Sequence, residues 1–481
     1  MKADGRTAAF RLRVRDAMGP PPLAVDAATT AGELVYRLRA AAASVAIVVD
    51  AAGRPLGIVT EQDVARRVAF QAEATSPATR LMSAPVDSIA EDEPLYHAIA
   101  RMRRAGRRHM PATDAGGAIV GMLELHEALA QSSPRLLSQI DRLTHEATLP
   151  GMAAARAAQA GVAAELLGDG VGAPEIQGWL SEFNDAVHAR VVRLLLAQPP
   201  PLPFALIVMG SGGRGESGLA PDQDNGLVLA DYPDDAHDEI DAWFRDFAGR
   251  LAQALAEVGF PLCRGNVMAT NPVWRKSLGQ WRDQLDGWVA SRRDVALRSA
   301  DIFFDFRCVW GEAPLVRALR AHVAARLRGA RGFLAAMARQ EEDYDVALGL
   351  FDRFVRERDD LGHRGEVNLK LGALTPLVDA VRLYALRESV EETSTLGRIA
   401  ALETAGVFDR DEADALAAGY GQLADALLRR QIADAQASRP PSNFVRPEAL
   451  TARERRRLVE TLKTIRALQV RARADFTGRI L

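Results

Sequence analysis

Two aspartates one residue apart, Asp222 and Asp224, follow a glycine-rich turn, GSGGRGESG, which itself follows the apolar run FALIVM at residues 204–209. Two carboxylates this close repel, and burying both would push one pKa up. A divalent cation removes the conflict. Asp222 and Asp224 are therefore candidate metal ligands and catalytic groups. Glycine lets backbone N–H groups reach phosphate oxygens with no side chain in the way, so the Gly-Ser turn can approach a triphosphate. Mg²⁺-dependent phosphoryl or nucleotidyl transfer is the chemistry this pairing suits. A Walker loop is excluded, because no Gly-Lys-Ser/Thr follows. A carboxylate pair that only caps a turn is the competing reading.

The elements that must position these groups follow from the pattern around them. FALIVMG reads as a short buried strand and DNGLVLA as another, and spacing of two on a strand puts both carboxylates on one face. AWFRDFAGRLAQALAEVG reads as a helix, and IFFDFRCV, residues 302–309, as a third strand. On that strand Phe303, Asp305 and Arg307 share a face. Asp305 is the candidate third catalytic carboxylate, with an Asp305–Arg307 pair as the alternative. Arg214 could touch phosphate or pair with Glu216. His237-Asp238 lacks a second His/Asp set and reads as a surface turn.

Residues 201–312 thus form an α+β unit. Before it, residues 131–200 are helical and alanine-rich, with Ile176, Leu180, Phe183, Val187, Val191 and Leu194 on one face until PPPLP breaks the run. After it, residues 313–481 read as helical, interrupted at Pro440-Pro441. The last segment, ARERRRLVETLKTIRALQVRARADF, reads as a basic amphipathic helix whose surface is solvated or faces a partner.

The 481 residues carry 60 basic and 63 acidic side chains, a formal net charge of -3. That balance excludes the single-sign field of a general nucleic-acid binder. Any anion is bound locally. Two cysteines, Cys263 and Cys308, are too few for a disulfide framework. The charged amino terminus has no apolar core of a signal peptide, and no stretch is long and apolar enough to span a bilayer, so a cytoplasmic location without membrane association is expected. Only four lysines occur, Lys2, Lys276, Lys370 and Lys463, so arginine counts carry little information.

An internal repeat organises the first 130 residues. Met18 recurs as Met82, Val25 as Ile89, Asp50 as Asp114, Gly53 as Gly117 and Gly57 as Gly121, always 64 residues apart. Each copy, about 10–73 and 74–130, reads as an extended lead-in, a helix, a strand, a Gly turn, a strand and a helix start. This resembles a tandem pair of CBS domains, β-α-β-β-α units that usually sense adenine nucleotides such as AMP or ATP. The resemblance assigns Thr60 and Asp63 in GIVTEQD to phosphate and ribose, although a helix cap explains the same two residues. The second copy has Glu124 and Glu127 there, which disfavours a second equivalent site. Arg103, Arg104, Arg107 and Arg108 could neutralise a polyphosphate or form a solvated helix end. The resemblance also implies a homodimer through the CBS domains.

The segment GSGGRGESGLAPDQDN resembles the nucleotidyltransferase fold of the DNA polymerase β superfamily and the amino-terminal domain of the protein-PII uridylyltransferases. It is most similar to the bacterial CBS-linked nucleotidyltransferases, whose pattern is GS-x-GR-x-E…DQDN. The resemblance implies that Gly210, Ser211, Gly212, Arg214 and Lys276 contact the NTP donor and that Asp222 and Asp224 hold Mg²⁺ in a two-metal site. Gln223 and Asn225 stand where the wider superfamily has hydrophobic residues, and Cys263 stands near the place of a third acidic ligand. Asn271, Trp274, Arg275 and Lys276 match an NPxW element that could line the nucleotide pocket. LKLGALTPLVDAVRLYAL, residues 369–386, resembles the family's helical carboxyl-terminal domain, from which Lys370 and Arg382 could reach a phosphate. The expected whole is a multidomain α+β protein: tandem CBS pair, helical connector, α/β nucleotidyltransferase domain with a mixed sheet, and helical carboxyl-terminal domain. Its expected activity is transfer of NMP from an NTP to an acceptor hydroxyl, of a protein above all, under CBS control. A catalytically inactive nucleotide sensor is the alternative.

Overall fold

The computed structural model describes residues 12–41, 43–60, 63–64, 73–105, 107–125, 127–128, 146–168, 170–196, 198–291, 294–340 and 345–478. The chain forms two compact units, Met1–Asp141 and Arg142–Leu481. Among the described residues no helix is long and apolar enough to cross a membrane.

The first unit holds two three-stranded sheets of one design. Strands β1 (Leu23–Asp26), β2 (Val45–Val49) and β3 (Pro55–Thr60) form one, and β4 (Ile89–Ala90), β5 (His109–Thr113) and β6 (Ile119–Glu124) the other. In each, the first pair is parallel and the second antiparallel. The parallel pair requires a crossover, supplied by the helices Ala31–Ala40 and Leu95–Arg104. The repeat matches have physical causes. Asp50 Oδ1 accepts the backbone N–H groups of Ala52 and Arg54, and Asp114 Oδ1 those of Gly116 and Ala118, closing the two β-turns. Gly53 and Gly117 take φ of 76° and 83° in those turns, where a side chain would be strained.

The copies are entwined. Ala78 and Leu81 pack into the first copy's core with Val25, Leu34 and Val48, while Val14 and Ala17 pack into the second with Ile89, Leu95 and Leu123. Met82 lies over Gly57 and Met18 over Gly121, so closely that a Cβ on either glycine would collide with the methionine side chain. Each lead-in segment thus completes the other copy. The boundary expected near residue 73 divides the sequence repeat but not the folded cores.

In the second unit, β7 (Phe204–Val208), β8 (Asn225–Leu229), β9 (Arg275–Ser277) and β10 (Arg307–Gly311) form a mixed sheet in the order β10-β7-β8-β9. β7 runs antiparallel to both neighbours, and β8 parallel to β9. All residues of β7 and β8 are buried, as continuous apolar strands covered on both faces should be. Alternation along β7 sends Phe204 and Leu206 to a layer containing Met152, Phe183, Val187, Phe244 and Phe247. Ala205 and Ile207 face Trp274, Trp281, Phe303 and Leu319.

Two expectations change. The helices Leu149–Gly168 and Ala173–Leu195, read as a connector, are a layer of this sheet domain, packing Met152, Phe183 and Val187 under the sheet and also meeting the helix Arg410–Gln436; residues 131–145 lie outside the described residues. IFFDFRCV is not one strand: a helix runs Asp294–Phe303, Asp305 lies in the turn, and β10 begins at Arg307. The aromatic residues close the helix onto Trp281 instead of extending. The basic helix Ala452–Thr477 is amphipathic as expected: Leu458, Leu462, Ile465 and Leu468 pack on the helices Arg331–Gln340, Thr375–Arg387 and Arg410–Gln436, while Arg453, Arg456 and Arg457 are exposed.

Candidate active site

The site is built where β7 ends and β8 begins. The N–H of Met209 donates to Asp224 O at 2.9 Å, locking the turn beside the segment that carries both aspartates. Gly210 follows with φ of 56°, and a Cβ there would stand 3.0 Å from Asp224 Oδ2. Glycine therefore meets two requirements at this one position, the left-handed backbone and the close approach of a carboxylate. A helical turn runs Gly210–Arg214 and ends at Gly215, φ 74°. Within it, a Cβ on Gly213 would overlap the carbonyl oxygen of Asp305.

Asp222 and Asp224 lie in the extended segment just before β8, and alternation does turn them to one side. Asp222 is exposed and Asp224 half-buried, whereas Gln223 and Asn225 are 0% and 2% exposed. The two amides replace expected apolar residues because they tie down a neighbouring irregular segment. Gln223 Nε2 donates to Ala252 O at 3.0 Å and Phe260 O at 2.8 Å, and its backbone N–H to Pro261 O at 3.1 Å. Asn225 donates its N–H to Val267 O at 3.0 Å and accepts from Ala269 N through Oδ1, also at 3.0 Å. That segment presents Cys263. One carboxylate oxygen each of Asp222 and Asp224 and the Cys263 Sγ all lie within 4.8 Å of one another.

The electrostatics follow from this crowding. Burial, with the neighbouring Asp222 charge adding, pushes Asp224 up to about 6. Burial pushes the Cys263 thiol up to about 12, and its S–H donates to Asp224. Two oxygens and one sulfur converging on a point form a donor set that fits a divalent cation. Gly210, Ser211, Asp222, Asp224, Lys370 and Gln431 contribute to the walls of a cavity of about 260 Å³. Lys370, exposed at the start of the π-helical turn Lys370–Leu374, places positive charge near Asp224 and counters its upward shift. His188 lines a small recess on the other side of the aspartates with Ser211. Burial lowers it to about 4, so it is neutral, with Nδ1 2.7 Å from Asn184 O.

Asp305 stands elsewhere than expected. It is 0% exposed, and Arg214, Arg382 and Arg398 converge on its carboxylate, each at 2.7 Å. It makes no pair with Arg307, which donates to Asp185 Oδ1 at 2.8 Å instead. Three guanidinium groups overcome the burial penalty and hold its pKa well below the usual carboxylate range. Asp305 is thus an anchor for arginines and lies outside the cluster of metal-ligand atoms. Arg214 also donates to Glu216 at 2.6 Å, while Arg382 pairs with Asp379 at 2.6 Å and with Asp301, and both arginines line the same cavity as the aspartate pair.

The NPxW element is structural. Asn271 Oδ1 caps the turn by accepting Val273 N at 3.0 Å, Trp274 is 3% exposed in the core, and Arg275 pairs with Asp241 at 2.9 Å. Lys276 sits in β9 opposite Val228 and is not among the residues lining the cavity. In the first unit Thr60 Oγ1 donates to Asp63 Oδ2 at 2.7 Å, Asp63 N donates back to Thr60 Oγ1 at 3.2 Å, and Ser83 Oγ reaches Asp63 Oδ1 at 3.3 Å. This is a reciprocal helix cap. Arg107 and Arg108 are exposed, and the side chains of Arg103 and Arg104 lie outside the described residues.

Two of the site's residues escaped the sequence reading as positive candidates. Cys263 registered only as the lack of an acidic residue, and His188 only as part of a helix. The amphipathic spacing of Ala173–Leu195 holds the signal for His188, which is on its buried face.

Three family models match the chain. One described as "Putative nucleotidyltransferase DUF294" covers residues 157–294, one described as "Putative nucleotidyltransferase substrate binding domain" covers 331–476, and the CBS domain covers 14–69 and 78–132. An uncharacterized protein of Methanopyrus kandleri is 30% identical over 114 residues, 23% of this chain and 58% of that protein. An uncharacterized 17.7 kDa protein of Acidianus ambivalens is 28% identical over 81 residues, 17% of this chain and 49% of that one. The chain spans about half the length of these curated relatives. Among solved structures, a CBS domain protein from Pyrobaculum aerophilum complexed with AMP is 25% identical, covering 26% of this chain and 97% of that one, with a TM-score of 0.24.

Proposed function

The chain belongs to the family that joins a tandem CBS pair to a DUF294-type nucleotidyltransferase domain and its substrate-binding domain, and from that premise we propose that it transfers NMP from an NTP to an acceptor hydroxyl in a Mg²⁺-dependent reaction like that of the protein-PII uridylyltransferases. The observation that carries this reading is the convergence of Asp222, Asp224 and Cys263 beside a glycine turn and a cavity that Lys370 shares. Asp222 and Asp224 would hold the cations, in a two-metal arrangement. When bound, Mg²⁺ supplies charge neutralisation for the triphosphate and the attacking oxygen. Gly210 leaves room for phosphate next to Asp224, Ser211 offers a hydroxyl to the same space, and Lys370 balances phosphate charge from the substrate-binding domain. The acceptor oxygen bonds to the α-phosphorus as the bond to pyrophosphate breaks.

The acceptor we propose is a protein hydroxyl, and the CBS pair, through Thr60 and Asp63, would bind AMP or ATP and set the activity, in a homodimer formed by the CBS domains. Incubating the full chain with α-labelled NTPs, Mg²⁺ and a panel of protein acceptors tests this. Label should pass to an acceptor, and Asp222→Ala and Asp224→Ala should each lower the rate by at least about 100-fold, as loss of a charge-stabilising group does. Undiminished labelling by either variant would overturn the assignment. One observation favours a second reading, a sensor that binds nucleotide without turning it over: Asp305 is sequestered by arginines, and the group beside the two aspartates is a thiol instead of a third carboxylate. Mg²⁺-dependent NTP binding with no label transfer to any acceptor would select it.

A further inference from the structure

Carboxylates suit Mg²⁺, whereas thiolate sulfur favours softer divalent ions. Asp222 and Asp224 alone would be an oxygen site; Cys263 changes its chemistry. Its Sγ is within 4.8 Å of both carboxylate groups, and the side chain is 9% exposed, on the inner wall of the cluster. Its position is held independently of any ion. Gln223 and Asn225, the residues flanking Asp224, bind the segment before and after Cys263 through Phe260, Pro261 and Val267, and Asn266 N donates to Cys263 O at 3.0 Å. The amides that depart from the superfamily pattern are therefore the ones that aim the sulfur at the aspartates. The second cysteine plays no part here: Cys308 Sγ donates to Trp310 O at 3.6 Å.

We infer that Cys263 is the third ligand of the Asp222–Asp224 metal site and makes it bind borderline cations of the Co²⁺ and Zn²⁺ kind more tightly than Mg²⁺. The inference rests on the metal-site reading proposed above. Mg²⁺ takes oxygen ligands and keeps its waters, so it engages the two carboxylates and leaves the thiol protonated. With a borderline ion the thiol proton passes to solvent as the sulfur–metal bond forms. The site then has two loaded states, distinguished by whether sulfur is bound.

Co²⁺ titration of the full chain reads this directly, because a Co²⁺–thiolate bond absorbs in the near ultraviolet. The wild type and Cys308→Ser should both develop the band. Cys263→Ser should lose it and bind Co²⁺ and Zn²⁺ roughly tenfold or more weakly, the scale of metal-site perturbations, with Mg²⁺ affinity little changed. Cys263→Asp should lose the band and bind Mg²⁺ more tightly than wild type, which also shows that the segment still folds. Co²⁺ binding that depends on Asp222 and Asp224 but gives no band, or a band that survives Cys263→Ser, overturns the inference alone. Metal binding that Asp222→Ala and Asp224→Ala leave unchanged, or no metal binding by the wild type, overturns the metal reading of the site as well.

Discussion

Arg214 and Arg382 donate to the same oxygen, Oδ2 of Asp305, each at 2.7 Å. The first arginine closes the glycine turn that faces the aspartate pair, and the second lies in the helix Thr375–Arg387 of the helical carboxyl-terminal region. Arg398 approaches the other oxygen from the helix Thr395–Thr404. One buried carboxylate therefore fastens the glycine turn to two helices remote in sequence.

Asp305→Asn should destabilise the protein by about 3–5 kcal/mol, because it takes from buried Arg398 its carboxylate partner and from Arg214 and Arg382 the one they share. The carboxyl is held below its ordinary value, so its contribution is fully present above the unfolded pKa and is lost as pH falls toward the folded one. Denaturant melts should show the deficit undiminished from pH 8 to pH 5 and shrinking only below about pH 4, the ordinary carboxylate value. A metal-ligand role would give the opposite pattern, lost activity with unchanged stability.

Asp379 behaves in the reverse sense. Burial and the neighbouring Asp301 raise it to about 7, so the fold favours its neutral form and stability falls as pH rises from the ordinary value to about 7. Asp379→Asn should therefore melt higher than wild type, with a gap that widens between about pH 4 and 7 and levels off above that. Equal melting temperatures across that window would contradict the reading.

Adjacent glycines should differ sharply. Gly213→Ala drives a methyl into the Asp305 carbonyl and should cost at least about 3 kcal/mol or prevent folding. Gly212→Ala, whose Cβ would meet Val208 side-chain atoms at 3.8 Å, should keep the wild-type melting temperature.

In the CBS unit, Thr60→Ala removes a reciprocal cap worth about 1 kcal/mol. If the same groups receive an adenine nucleotide, calorimetry on the full chain should show AMP or ATP binding weakened by Thr60→Ala and by Asp63→Ala but indifferent to Glu124→Ala. A parallel loss with Glu124→Ala would place the ligand in the other copy.

Much of this site could be read from the chain because its logic is local. Apolar β7 and β8, the glycines between them and the aspartates are neighbours in sequence, and period-two alternation turns Asp222 and Asp224 to one side. The repeat is equally visible, since turn glycines and aspartates cannot vary without losing the turn. What stayed hidden depends on distant partners. IFFDFRCV has the composition of a strand, yet Phe303 stacks on Trp281 and the chain turns at Asp305. Nothing near Asp305 announces that Arg382 and Arg398 will surround it. Gln223 and Asn225 looked like departures from a pattern because the carbonyls they bind come from elsewhere.

The exchange of lead-in segments between the CBS copies has a consequence for how the protein is made. Synthesis delivers residues 12–19 first, but their partners are in β6 and the second core, with Gly19 N donating to Met122 O at 2.8 Å. The first core in turn waits for Ala78 and Leu81. The first core can therefore close only once the chain through Met82 has emerged, and the second, which takes in Val14 and Ala17, only once the chain through Ala128 has, so contacts of long sequence separation set the pace of maturation.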